Sequence, residues 1–102
     1  MAKGYWVVSV DVTDPEAYKR YAAANAAAFR KYGARFLVRG GAAETMEGGL
    51  RQRIVVIEFK DRATALACYN SPEYQEALAL RRDASVADLV VVEGYDGPQP
   101  TD

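Results

Sequence analysis

Residues 5 to 12 alternate in the manner of a strand. Trp6, Val8, Val10 and Val12 share one face, and Tyr5, Val7, Ser9 and Asp11 share the other. β-branched and aromatic side chains suit such a pleated surface. Thr13-Asp14-Pro15-Glu16 then predicts a helix start. The Asp14 carboxylate can accept from a free N–H of the first turn, Pro15 fits the first helical position, and Glu16 suits the positive end of the dipole. Tyr18, Tyr21, Ala22, Asn25, Phe29 and Tyr32 recur at helical spacing, which predicts one helix with a broad buried face. Gly33 stands where a helix end favours a left-handed residue.

Arg35 to Arg39 reads as a second strand, and a glycine-punctuated loop covers 40–49. Arg53 to Phe59 reads as a third strand, with Ile54-Val55-Val56-Ile57 apolar on both faces. The two form a hairpin with a long connection, in which Ala43 to Met46 could extend the ladder. Asp61 caps a short helix through Tyr69, and Ser71-Pro72-Glu73 restarts a helix to about Ala84. A last strand covers Asp88 to Glu93. Residues 1–94 make one domain and 95–102 a tail with little structure of its own.

The order β-α-β-β-α-β predicts an α+β, ferredoxin-like antiparallel sheet with helices on one face. The uncovered face should then read polar. It does not, because Trp6-Val7-Val8, Ile54 to Ile57 and Leu89 to Val92 put apolar side chains on both sides. Exposing such a side chain costs about 1.5–3 kcal/mol relative to burying it. A second copy packed face to face is the simplest cover, so a homodimer is expected.

Composition narrows the chemistry. The chain has 102 residues and a net charge of −1. Without a concentrated basic surface, no nucleic acid partner is expected, and without a basic run no anionic membrane. Met1-Ala2-Lys3-Gly4 carries no signal-peptide core, no segment approaches the ~20 apolar residues of a membrane span, and Cys68 stands alone. A reducing cytoplasm is the expected location. Histidine is absent, which argues against His-ligated haem, His-based metal sites and any nucleophile that needs an imidazole base. No cofactor or metal is expected, and any chemistry falls to Tyr, Arg, Asp, Glu, Asn, Trp or the backbone.

Several segments carry a family likeness. Gly4-Tyr5-Trp6, Asp11 to Tyr18, Tyr32 to Gly41, Val56-Ile57-Glu58-Phe59, Tyr69 to Tyr74 and Val90 to Gly94 together resemble the bacterial domain-of-unknown-function 1330 family. The likeness runs from about Lys3 to Gly94. It implies membership of the dimeric α+β barrel superfamily, which also holds cofactor-free monooxygenases, muconolactone isomerases and haem-degrading oxygenases. The family itself implies no particular reaction. Cys68 departs from its pattern, standing where a tryptophan would be expected beside Tyr69.

Six residues are candidates for ligand binding. Arg39, before Gly40-Gly41, could clamp a carboxylate or enolate bidentately; its structural alternative is an ion pair with Glu58 or Glu93. Arg81 lies on the apolar stripe of Tyr74, Ala77 and Leu78, so it needs either an acidic partner or a bound anion. Tyr18, Tyr69 and Tyr74, with Tyr21, form an aromatic set that could line a pocket or simply fill the core. Trp6 completes the wall. Cofactor-free oxygenases of related barrels use an Asn with a Trp, which invites comparison with Asn25 and Trp6, although no motif matches. Asp11 and Glu58 could act as bases near strand ends, and Cys68 reads as an inert buried thiol.

The leading expectation is a dimer that binds a small, partly apolar molecule bearing an anionic or enolisable oxygen. Cofactor-independent oxygenation or isomerisation is the fitting chemistry if it is an enzyme, and the pocket should measure several hundred Å³. The rival is a non-catalytic dimer for structure or interaction. Haem degradation ranks third.

Overall fold

The cap residues legible in the sequence do what their chemistry suggests. In a computed structural model describing residues 2–102, Asp14 accepts from the Ala17 N–H at 3.2 Å, Asp61 from Thr64 at 2.7 Å, and Ser71 from Tyr74 at 3.1 Å. The elements are β1 (Gly4–Val12), α1 (Pro15–Ala24), α2 (Ala26–Lys31), β2 (Arg35–Arg39), β3 (Arg53–Phe59), α3 (Arg62–Tyr69), α4 (Pro72–Arg81) and β4 (Ser85–Glu93). The strands form one antiparallel sheet in the order β2-β3-β1-β4. This is the α+β ferredoxin-like arrangement expected from the element order.

Several boundaries differ from expectation: β1 starts one residue earlier, at Gly4, and α4 stops at Arg81, short of Ala84. The single helix foreseen over 15–32 is divided at Asn25. The division is slight: Asn25 keeps right-handed helical angles, its N–H donates to the Tyr21 carbonyl, and its own carbonyl accepts from Phe29. β4 begins at Ser85 and not at Asp88, because Asp11 and Val12 extend β1 far enough to pair with Val86 and Ser85. The loop 40–52 contains no strand around Ala43 to Met46. It is fastened instead by Arg51, whose N–H donates to Ser9 Oγ at 2.7 Å and whose guanidinium reaches Asp11 at 3.1 Å and Asp88 at 3.0 Å. Ser9, Asp11 and Asp88, polar positions on the open face, hold the loop down. Asp11 is therefore a tether and not a free base; its carboxyl lies below the usual carboxylate range, chiefly through the Gln52 N–H.

Gly33 and Gly40 adopt φ of 67° and 68°, where side chains with a Cβ are strained. A bulge at Leu37 shifts the β2–β3 register between Phe36↔Ile57 and Val38↔Val56. Facing partners share a side of the sheet, so Phe36 and Arg39 point toward the helices while Val38 points away.

The covered face holds the core. Trp6, Val55, Ile57 and Phe59 from the sheet meet Phe29, Ala65, Tyr74 and Leu78 from the helices, all buried. The other face stays open with Val7, Val86, Val90 and Val92 exposed, between 38% and 54%. Among the described residues, no helix is long and apolar enough to cross a membrane.

Phe59, 1% exposed within this core, sets a test of the packing. Phe59→Ala should lower stability by about 3–5 kcal/mol, read from urea denaturation. A loss below about 1 kcal/mol would show that the helix layer is not seated as described.

Candidate functional site

The candidate site reaches the end of the sheet where β1 and β2 finish and β3 begins. Tyr18, Tyr21 and Asn25 come down from the first helical segment, and Tyr74 and Arg81 from α4, over Trp6, Val8 and Val10. Arg39 and Arg53 close the side. The enclosed cavity measures about 30 Å³, space for roughly two water molecules. That corrects the expectation of several hundred Å³: aromatic side chains from the helices fill most of the gap the element order leaves.

The six residues proposed from sequence separate into two groups. Trp6, Tyr18, Arg39, Tyr74 and Arg81 all line the cavity. Tyr69 does not. It stacks behind the wall, its ring 5.7 Å from Trp6 and 5.4 Å from Tyr74, because the α3 stripe that carries it faces the far end of the core. Trp6 contributes surface and no donor, since its indole N–H is committed to the Ala65 carbonyl at 2.9 Å. The comparison with an Asn–Trp pair is met in position only, for Asn25 and Trp6 both border the cavity.

Sequence reasoning missed Arg53, the first residue of β3. Its register with Val10 puts its side chain on the helix side. A Cβ on Gly40 would overlap the Arg53 guanidinium, so a glycine at 40 leaves room for the arginine. Both signals, strand alternation from Val55 back to Arg53 and the glycine beside Arg39, are present in the sequence.

The three arginines have no acidic partners. The four ion pairs among the described residues use Lys19, Lys31 and Arg51. Glu58, the suggested partner of Arg39, lies on the opposite face and accepts from the Tyr5 hydroxyl at 3.2 Å. The guanidiniums rest on aromatic rings instead: Arg39 is 4.2 Å from the Phe36 centroid, Arg53 5.8 Å from Tyr18 and Arg81 5.4 Å from Tyr21. Arg53 Nε and Arg81 Nε are buried without a hydrogen bond. Leaving such a donor unsatisfied typically costs about 1–3 kcal/mol.

The Tyr21 and Tyr74 hydroxyls lie 2.9 Å apart. One proton serves that bond, and the other is free to point elsewhere. Burial raises both phenols above their ordinary value, with the Tyr21 neighbour adding to the rise at Tyr74. They stay protonated at neutral pH and act as donors. No carboxylate, thiol or lysine borders the cavity. Cys68 is fully buried elsewhere in the core, its thiol pushed up to about 12 by burial. No group of three or more Cys, Asp or Glu among the described residues is placed to hold a metal ion. The cavity can therefore donate hydrogen bonds and positive charge, and it has little with which to accept a proton.

A second, wider cleft of about 990 Å³ opens on the other face between the loop 40–52 and the sheet. Its one cation, Arg51, is paired with Asp11 and Asp88, and with Glu44 and Glu47 also in the lining the cleft is acidic on balance.

Fold and cavity define a ferredoxin-like α+β protein with a donor-lined pocket between sheet and helices. The chain belongs to the domain-of-unknown-function 1330 family, whose model matches residues 3–95. Similar solved structures include a protein of unknown function from Rhodopseudomonas palustris, at 17% identity and TM-score 0.74, over 94% of this chain and 85% of that one. A cofactor-independent oxygenase from Streptomyces nogalater matches at 14% identity and TM-score 0.65, over 98% and 99%. A dimeric ferredoxin-like protein of unknown function from Thermobifida fusca matches at 17% identity and TM-score 0.53, over 90% and 89%. At these identities the likeness carries the fold alone. None of the curated proteins matches the chain.

The buried acids set an alkaline limit. Cys68, Tyr21 and Tyr74 all have folded-state pKa values above their unfolded ones, so the folded chain holds protons that the unfolded chain releases. Stability is fully present below about pH 9 and falls as pH rises through the interval toward 12. The urea midpoint should drop between about pH 8.5 and pH 10.5, and Cys68 should resist a thiol reagent until the chain unfolds. A flat midpoint with a thiol that reacts in the native state would contradict the burial described.

Proposed function

We propose that this protein is a cytoplasmic homodimer that binds a small, partly apolar organic anion in the cavity between its sheet and helices. The observation that carries the reading is the set of three guanidiniums around one aromatic cavity, with no carboxylate to neutralise them. Arg53 and Arg81, partly buried against an apolar core, need a counter-charge. An anionic or enolate oxygen supplies it, with the Tyr21 and Tyr74 hydroxyls as further donors. Trp6, Tyr18 and Tyr74 form the walls, and Arg39, Arg53 and Arg81 meet the oxygen.

If the site is catalytic, cofactor-independent oxygenation or isomerisation is the fitting chemistry. A developing oxyanion is stabilised by fixed donors, and a substrate that enolises readily brings its own reactive electrons. The fold shared with a cofactor-independent oxygenase is consistent with this reading.

The dimer rests on the open face. Val7, Val90 and Val92 lie in adjacent strands there, with Leu37 and Val38 toward the β2 edge. A patch of this kind marks an interface, and a similar fold from Thermobifida fusca is described as dimeric. Nucleic acid and membranes are not expected partners.

The small cavity favours a second reading, since ligand pockets typically measure about 300–1,000 Å³. In that reading the protein is a non-catalytic dimer whose arginines and tyrosines only brace the helices against the sheet. A metabolite panel in a thermal-shift assay separates the two. Organic acids should raise the melting temperature of the wild type and not of Arg81→Met. A panel in which no compound raises it would favour the bracing role. For the dimer, light scattering at micromolar concentration should report twice the chain mass, and Val90→Lys should shift it to the monomer; a wild-type monomer would remove the proposed interface.

A further inference from the structure

We infer that the cavity receives the carboxylate group of a small organic acid, taken up already ionised, with the rest of the acid leaving past Phe36 and Arg39. The inference rests on the small-molecule reading above and specifies its headgroup. Size is the first reason. A cavity of about 30 Å³ admits roughly two water-sized spheres, which suits the two oxygens of a carboxylate. A tetrahedral phosphate, with four oxygens, needs more room than that.

Donor geometry is the second reason. Arg53 Nε and Arg81 Nε are the buried donors without partners, and planar guanidiniums match carboxylates through paired hydrogen bonds. On the β2 side the cavity is bordered by Phe36, and exposed Arg39 lies over that ring.

Charge balance is the third. The charged and titratable groups facing the cavity are Tyr18 and Tyr21 from α1, Arg39 from β2, Arg53 from β3, and Tyr74 and Arg81 from α4. β1 and β4 contribute none, and Asn25 is a neutral amide. The set holds cations and neutral donors and no carboxylate, thiol or lysine, so the negative charge at the site is the ligand's own.

Gly40 is a positioning residue for this site. The Arg53 guanidinium fills the space where a Cβ on Gly40 would stand, and Gly40 has a φ of 68°, so a side chain at 40 would displace that guanidinium.

Calorimetry with hexanoate, hexanamide and hexyl phosphate tests the headgroup. Hexanoate is expected to bind with an affinity that stays level between about pH 6 and about pH 8.5, where its carboxyl remains ionised. The amide and the phosphate ester are expected not to bind. Arg53→Gln and Gly40→Ala should each weaken hexanoate by roughly tenfold or more, while Arg30→Gln, on the exposed side of α2, should not. Circular dichroism confirms that each variant folds. Equal binding of hexanamide, tighter binding of hexyl phosphate, or full affinity in both cavity variants would overturn the carboxylate inference and leave the small-molecule reading standing. No hexanoate binding at roughly 10 mM overturns it too; if the metabolite panel is also silent, the wider reading falls with it.

Discussion

The indole of Trp6 ties the two layers of this fold together. It rises from the middle of β1, is 1% exposed, and places its N–H on the Ala65 carbonyl of α3. Its ring centroid lies within 5.7 Å of Phe29, Phe59, Tyr69 and Tyr74. One side chain thus touches α2, α3, α4 and β3. Edge-on aromatic pairs of this kind add about 0.5–1.5 kcal/mol each beyond the area they bury. The helices are held over the centre of the sheet through Trp6, and the cavity lies toward one end.

That end is where the unusual electrostatics sit. Packing aromatic rings at the centre obliges the strand and helix ends to supply the rim, and the rim residues are Arg39, Arg53 and Arg81. Rings cushion all three guanidiniums and acids answer none of them. By contrast Arg51, on the open face, sits between two aspartates. The same chain therefore neutralises one arginine completely and leaves three to share a cavity. The Tyr21–Tyr74 hydroxyl pair deepens the imbalance, because both phenols hold their protons.

Much of this was legible in the residues. Asp14-Pro15, Asp61 and Ser71-Pro72 announced the helix starts, and strand alternation separated the covered face of β1 from the open one. Five of the six candidate residues line the cavity. Tyr69 does not, since helical spacing gives a buried stripe without saying which part of the core the stripe reaches. Arg53 was passed over because a charged residue opening a strand reads as a boundary; its face follows only from the register with Val10. The fate of Glu58 turned on a bulge at Leu37, which a five-residue strand does not advertise. Cavity volume was the least legible quantity, being set by how far tyrosine rings reach across a gap of fixed backbone size.

The central claim is that these guanidiniums await an anion and are not simply braces. Side-chain ¹⁵N–¹H spectra of the arginines test it most directly. Slowly exchanging Nε–H signals are expected for Arg53 and Arg81, and they should shift on addition of an organic carboxylate while Arg51 stays unmoved. Signals for Arg53 and Arg81 that stay fixed through a saturating titration would contradict it.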